Sequence, residues 1–210
     1  RGFDARTGKR MGTVHTIPQK GEFGYDTWLK DSAEINGNTG VWTQVSIDTE
    51  LNLAYLAVET PTSDFFGGHR PGNNPFANSL VAVDLLTGER KWHYQLIRHD
   101  IWDYDNSSAP LLMNVTVDGK PRKVVALPTK MNNMYVFDRA TGAPVWPFKE
   151  TKVEKGSVPG EWYSPTQPIP SKPAAYGRNG VTVDQLIDFT PELRRKALEV
   201  TKNYKLGPLY

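Results

Sequence analysis

The sequence predicts an all-β protein: a stretch of β-propeller with about two complete four-stranded blades and part of a third. A loop-rich excursion and a short helix follow. Three observations carry this. One nine-residue phrase occurs twice, as Asp84-Leu-Leu-Thr-Gly-Glu-Arg-Lys-Trp92 and Asp138-Arg-Ala-Thr-Gly-Ala-Pro-Val-Trp146, and a third copy, Asp4-Ala-Arg-Thr-Gly-Lys-Arg-Met-Gly12, carries Gly in place of Trp. Short apolar runs, Ser79–Val83 and Met134–Phe137, lead into the two Trp copies. The composition, with six Trp, nine Tyr, 18 Gly and 16 Pro, suits many short strands joined by turns. The phrase itself is hairpin chemistry: the Asp side chain caps the turn, Thr-Gly supplies a left-handed position, and the Trp closes over the neighbouring unit. Repetition of such a strand-turn-strand is a propeller signature.

Taken in order, residues 1–16 read as the last two strands of a blade. Val41–Ile47 alternates polar and apolar positions, Asp48–Asn52 turns, and Leu53–Val58 returns. After a long loop come Ser79–Val83, the Asp-Thr-Gly turn and Arg90–Gln95, which completes one blade within 41–95. The next blade, within 109–148, is expected from Leu111–Val117, Lys123–Leu127, Met134–Phe137 and Val145–Phe148, with Asp118-Gly119 in its first turn. Residues 149–180 are rich in Pro and Gly, lack periodicity, and are expected as an extended excursion within the final 149–210 stretch. Thr190-Pro191-Glu192 caps a helix whose apolar face is Leu193, Ala197, Val200 and Tyr204, and Gly207-Pro208 ends it. All belong to one propeller domain over 1–210.

Composition excludes several functions. With 25 basic and 23 acidic residues the net charge is +2, and no basic block favours nucleic acid. No apolar run approaches a membrane span. Cysteine is absent, which removes disulfides, thiolate metal sites and a Cys nucleophile. The chain opens inside a repeat without an initiator Met, and two blades with a remnant cannot close a ring of four to eight. A piece of a longer protein is expected.

Blade geometry sorts the loops. Glu59–Asn78, Leu96–Ala109 and Pro128–Asn133 fall on one face and the Asp-Thr-Gly turns on the other, so the long-loop face is the functional candidate. One of these loops reads His99-Asp100-Ile101-Trp102-Asp103-Tyr104-Asp105. Close carboxylates call for a cation or a raised pKa, and a hard ion such as Ca²⁺ is the natural partner. A solvated acidic loop is the plainer alternative, as is core packing for Trp42 and a surface ion pair for Lys130. Thr60, Thr62 and Asp64 open the loop Glu59–Asn78 and offer further oxygens. The four His show no metal-ligand spacing.

These residues carry a family likeness. Thr16-Ile-Pro-Gln19, Gly24-Tyr-Asp-Thr-Trp28, Arg70-Pro-Gly72, Asn78–Asp84, His99–Asp105 and Tyr135–Arg139, with the Asp-x-x-Thr-Gly-x-x-x-Trp repeat, resemble the quinoprotein dehydrogenases. That family consists of eight-bladed propellers that oxidise alcohols or sugars with pyrroloquinoline quinone. The resemblance covers nearly the whole chain. It implies that Asp103, of the Trp-Asp pair, is the catalytic base. Trp42, six residues before Asp48, is implied as the aromatic under the quinone, and Thr60, twelve residues after it, as a metal ligand in place of the usual Asn. Lys130 is implied to touch the quinone carbonyl oxygens, as Lys does in the sugar-oxidising branch. Asp105 matches an additional acidic position of the sugar-oxidising and lanthanide-using branches. The resemblance gives Asp100 no chemical role. The docking Trp is missing at Gly12.

The expected function is therefore oxidation of an aldose such as glucose by pyrroloquinoline quinone, with Ca²⁺ or another divalent ion, a lanthanide being the variant. An alcohol is the second substrate class, and a non-catalytic scaffold for envelope protein assembly is the rival of another kind. The resemblance further implies ubiquinone or cytochrome c as electron acceptor, a periplasmic or periplasm-facing location, and membrane contact only through segments outside this sequence.

Overall fold

A computed structural model describes residues 1–208. Two short strands, β1 (Gly2–Phe3) and β2 (Arg10–Gly12), pair antiparallel around the first repeat. β3 (Ser46–Asp48), β4 (Leu53–Ala57), β5 (Ser79–Asp84) and β6 (Arg90–Gln95) form one antiparallel four-stranded sheet in sequence order. β7 (Leu111–Val117), β8 (Lys120–Pro128) and β9 (Met134–Asp138) form the next, and β10 (Phe148–Lys152) pairs with β11 (Thr166–Pro170). Short 3₁₀ turns occupy Tyr25–Thr27, Leu29–Glu34 and Val183–Gln185, and an α-helix, α1 (Pro191–Thr201), lies near the end. The architecture is that of an all-β propeller segment.

The repeated phrase builds the same turn three times. Asp4 Oδ1 accepts from the Arg6 and Thr7 amides at 3.0 and 2.7 Å, Asp84 Oδ1 from Leu86 and Thr87 at 2.9 and 3.0 Å, and Asp138 Oδ1 from Ala140 and Thr141 at 3.1 and 3.0 Å. Each Asp carbonyl then accepts from the Gly four residues on, and each Gly is left-handed. Asp48 caps its own turn in the same way through Glu50 and Leu51.

The Trp of one repeat docks on the Gly of the next. Trp92 is 7 % exposed, lies against Gly142, donates to the Arg139 carbonyl at 3.1 Å, and packs against Tyr55 and Phe137. The two sheets thereby share one core, with Tyr55, Leu80, Ala82 and Leu96 from the first meeting Val125, Leu127, Tyr135 and Phe137 from the second. At the junction with the first repeat, Gly88 is faced instead by Val14.

Three local expectations change. Val41–Ile47 does not run as one strand, because only Ser46–Asp48 pairs with β4. Ser46 stands opposite Tyr55, whereas Gly40 hydrogen-bonds Glu59, so two surplus residues bow out between these points and carry Trp42 outward. Val145–Phe148 does not complete the second sheet. The Val145 amide reaches Val136 at 2.9 Å and Pro144 bridges Phe137, but Pro147 has no N–H to continue the ladder. Phe148 instead opens β10, its ring edge-on to Tyr94, Tyr135 and Phe137. The excursion after residue 149 thus contains a hairpin, and Gln167 on it is fully buried against Arg98.

The helix is capped as its sequence predicts, Thr190 Oγ1 accepting from the Leu193 amide at 3.2 Å, but it ends at Thr201, short of Tyr204 and Gly207-Pro208, and none of its residues is buried. Among the described residues, no helix is long and apolar enough to cross a membrane.

Candidate active site

The three long loops meet. Lys130, in the turn after β8, donates to the Asp103 carbonyl at 2.8 Å and lies 3.3 Å from Asp103 Oδ2 and 3.4 Å from Asp105 Oδ2. The Thr60 amide, just beyond β4, donates to Asp105 Oδ1 at 2.9 Å. Asp103, Asp105, Lys130 and Thr60 thus come together from loops that the sequence spreads over some seventy residues.

Trp42 is placed differently from the other four. Its neighbours Thr39 and Gly40 are tied to Thr60 and Glu59 by backbone hydrogen bonds at 3.3 and 3.1 Å, which anchors it beside the site. Its indole, however, is 58 % exposed, so it is not the core residue that packing alone suggests. Thr62 turns its carbonyl to His69 and Arg70.

Electrostatics follow from this geometry. Partial burial and the neighbouring Asp105 hold the Asp103 carboxyl above its ordinary range, and Lys130 pulls it back only in part. For Lys130, partial burial works against the charged form, but the two carboxylates outweigh it and the ammonium is held above its usual value. Glu59 is also raised, by burial first and then by Asp105, Asp64 and Asp103, so its carboxylate shares the acidic field. Its Oε1 accepts from the Gly40 amide at 2.9 Å.

The support beneath the loop lies largely in segments that carry the family likeness, but its role does not show in the sequence. Asp100 is fully buried; its Oδ1 accepts from the Trp102 amide at 2.9 Å, and its Oδ2 from the Tyr104 amide at 2.6 Å and Asn78 at 3.1 Å. The Thr60 hydroxyl also donates to Asp100 Oδ2. Burial pushes the Asp100 carboxyl up, against these donors. Buried Arg70 fastens the same loop by donating to the Asp100 carbonyl at 2.5 Å, the Ser63 carbonyl at 3.0 Å and Asn74 at 3.1 Å. His99, buried next to it, meets Glu161 at 3.0 Å and the Gly72 carbonyl at 2.9 Å. Burial keeps His99 below its ordinary value despite the Glu161 contact. His99 and Asp103 both have left-handed backbones, φ 49° and 55°, a conformation that non-glycine residues hold only when their surroundings enforce it.

The excursion reaches back to both loops. Tyr104 donates to Asn179 at 3.0 Å, Asn132 to the Arg178 carbonyl at 2.9 Å, and the Tyr176 hydroxyl to the Thr129 carbonyl.

Chemically, the site offers hard oxygen donors around one point of positive charge. Lys130 bridges Asp103 and Asp105, so the two carboxylates face one positive charge, and their hard oxygens are of the type that suits a hard metal ion. Among the described residues, no group of three or more His, Cys, Asp and Glu side chains is placed to hold an ion.

Docked blades and an acidic, lysine-bearing loop face define a β-propeller segment with one candidate site. The sequence profile of the family described as "PQQ: Glucose/ethanol/alcohol dehydrogenase, beta-propeller domain" matches residues 1–210, and the chain belongs to that family. It is 33 % identical over 178 residues to the quinoprotein glucose dehydrogenase of Escherichia coli K12, covering 80 % of this chain and 21 % of the relative. The structure of quinohemoprotein alcohol dehydrogenase ADHIIG from Pseudomonas putida HK5 superposes with a TM-score of 0.62 at 35 % identity, covering 71 % of this chain and 24 % of that one. A europium-containing methanol dehydrogenase superposes with a TM-score of 0.54 at 26 % identity, covering 74 % and 27 %. The chain spans about a quarter of the length of these relatives.

Proposed function

We propose that this chain supplies the base-bearing face of a pyrroloquinoline quinone-dependent dehydrogenase that oxidises an aldose such as glucose. The observation that carries this is the convergence of Lys130 with Asp103 and Asp105 from loops of successive sheets. A scaffold needs the Trp–Gly docking alone and has no use for that convergence. Lys130 and Asp105 together favour the sugar branch over the alcohol branch. The similarity to both glucose and alcohol dehydrogenases supports the reaction class.

When bound, the quinone supplies the two-electron acceptor and a Ca²⁺ or lanthanide ion the Lewis acidity. Asp103 and Asp105 with Thr60 would hold the ion, and exposed Trp42 offers a flat apolar face to the quinone ring. Asp103 takes the substrate hydroxyl proton, a role suited to a carboxylate of raised basicity. Lys130 directs its ammonium protons at negative charge that develops beside Asp103. The electron acceptor would be ubiquinone or a cytochrome c, and the enzyme would be periplasmic or periplasm-facing.

The test is dye-linked oxidation of glucose and of ethanol by the full-length protein loaded with quinone and either Ca²⁺ or La³⁺. Faster turnover of glucose supports the sugar reading, and preference for ethanol moves the enzyme to the alcohol branch. No oxidation of either class with both ions present would return the chain to the scaffold reading.

A further inference from the structure

Asp100 is the most heavily hydrogen-bonded side chain in the acidic loop, and the reaction as read above does not use it. Its two oxygens receive four donors from three segments: the Thr60 hydroxyl after β4, Asn78 before β5, and the Trp102 and Tyr104 amides of its own loop. Each of these does something different for the site. The two amide bonds close the turn from which Asp103 and Asp105 project, and they hold Asp103 in its left-handed conformation. The Thr60 contact sets the direction of a proton.

A hydroxyl has one hydrogen and two lone pairs. The Thr60 hydrogen goes to Asp100, and one lone pair accepts from Asn78 at 2.9 Å. The second lone pair remains, on an oxygen made more basic by donating to a carboxylate. Thr60 is a weaker ligand type than an amide carbonyl, and the buried carboxylate behind it compensates. Its backbone amide meanwhile fixes Asp105, so both candidate ligands are oriented from one hub.

We propose that Asp100 is the positioning residue of the cation site: it commits the Thr60 hydroxyl as an oxygen ligand and sets the turn that aims Asp103 and Asp105 at the same ion. The inference rests on the metal reading above. Partners that orient a ligand in this way typically account for a 10–100-fold share of metal affinity.

The experiment is Tb³⁺ luminescence, with Ca²⁺ as competitor, on the full-length protein freed of metal and without substrate. Asp100→Asn is expected to weaken Tb³⁺ binding about 10–100-fold. Thr60→Val should weaken it comparably, the double variant should lose little more than the worse single, and Thr60→Ser should retain binding. Asn106→Ala is the control: it strips the buried bond from Asn106 to the Val58 carbonyl without touching Thr60, so it lowers the melting temperature while binding stays within about twofold. Unchanged affinity in Asp100→Asn overturns the proposal, as do independent, multiplying effects of the two substitutions or an equal loss in Asn106→Ala. If Asp100→Asn does not fold, the Val and Ser variants of Thr60 still decide, and equal binding by both overturns it. A parent protein that binds neither ion removes the metal reading and this inference with it. All the other outcomes leave the metal reading standing.

Discussion

Substituting the repeat glycine at two equivalent positions isolates the contribution of blade docking. Gly88 and Gly142 occupy the same place in the same turn, with the same φ of 72°. An added methyl at Gly88 meets Val14 at 3.5 Å, an ordinary contact, whereas at Gly142 it lies 2.5 Å from Trp92 Cδ2 and 2.6 Å from Cε3. Either alanine pays the left-handed penalty of about 1–2 kcal/mol. Only Gly142→Ala must also displace a buried indole wedged between Tyr55 and Phe137, an overpacking of about 1–3 kcal/mol. The expected costs are therefore about 1–2 kcal/mol for Gly88→Ala and about 2–5 kcal/mol for Gly142→Ala. Urea unfolding of the full-length protein, followed by Trp fluorescence, measures both. In a Trp92→Leu background the extra cost at Gly142 should vanish, although Trp92→Leu is itself destabilising. Equal costs at the two glycines in the parent would refute the claim that Trp92 closes the blade junction.

Three further outcomes follow from the site and its supports. Asp103→Asn keeps the fold but removes the proton acceptor, so dye-linked turnover should fall about 10²–10⁴-fold, and retention of a tenth of the parent rate would place the base elsewhere. Lys130→Gln removes the charge that pulls the Asp103 carboxyl downward, so the acid limb of the kcat/KM–pH profile should move to higher pH; a limb that stays put or moves lower contradicts the contact. Glu150, gripped by both Arg98 nitrogens at 2.6 Å, is lowered from 4.5 to about 2, so its stabilisation is present above pH 4.5 and is lost as pH falls towards 2. Being half-exposed, the pair contributes on the order of 1 kcal/mol, and Glu150→Gln should flatten that part of the urea midpoint against pH.

The sheets were readable because their signals are local. The strands beginning at Leu53, Ser79, Arg90, Leu111 and Met134 show in alternation and turn chemistry, and three Asp-x-x-Thr-Gly turns repeat one hydrogen-bond set. What failed locally failed for backbone reasons: Pro147 ended a ladder, and a two-residue surplus lifted Trp42 out of β3. Asp103, Asp105, Lys130 and Thr60 were legible through a family likeness more than through spacing. The supporting roles of Asp100, Arg70 and the His99–Glu161 pair were not, although Arg70, His99 and Asp100 lie in segments that carry the likeness. A buried polar hub joins residues as far apart as 94 positions, and nothing in the local pattern distinguishes a carboxylate facing donors from one facing solvent. Glu161 in particular lies in a stretch whose Pro and Gly suggested only a connector.

That connector has a bearing on when the site comes into being. His99 waits for Glu161, Tyr104 for Asn179, and the Lys130 loop for Tyr176 and Arg178. On a ribosome, both sheets are complete some forty residues before the last of these partners emerges. The two sheets can therefore assemble while these fastening contacts to the acidic loop face are still unmade. The exposed run 172–175, between the Ser171 amide bonded to Pro147 and the Tyr176 amide bonded to Asn132, is the free span of that connector. A single protease nick there would leave every sheet pair and the His99–Glu161 contact intact while cutting Tyr176, Arg178 and Asn179 away from the loops they fasten.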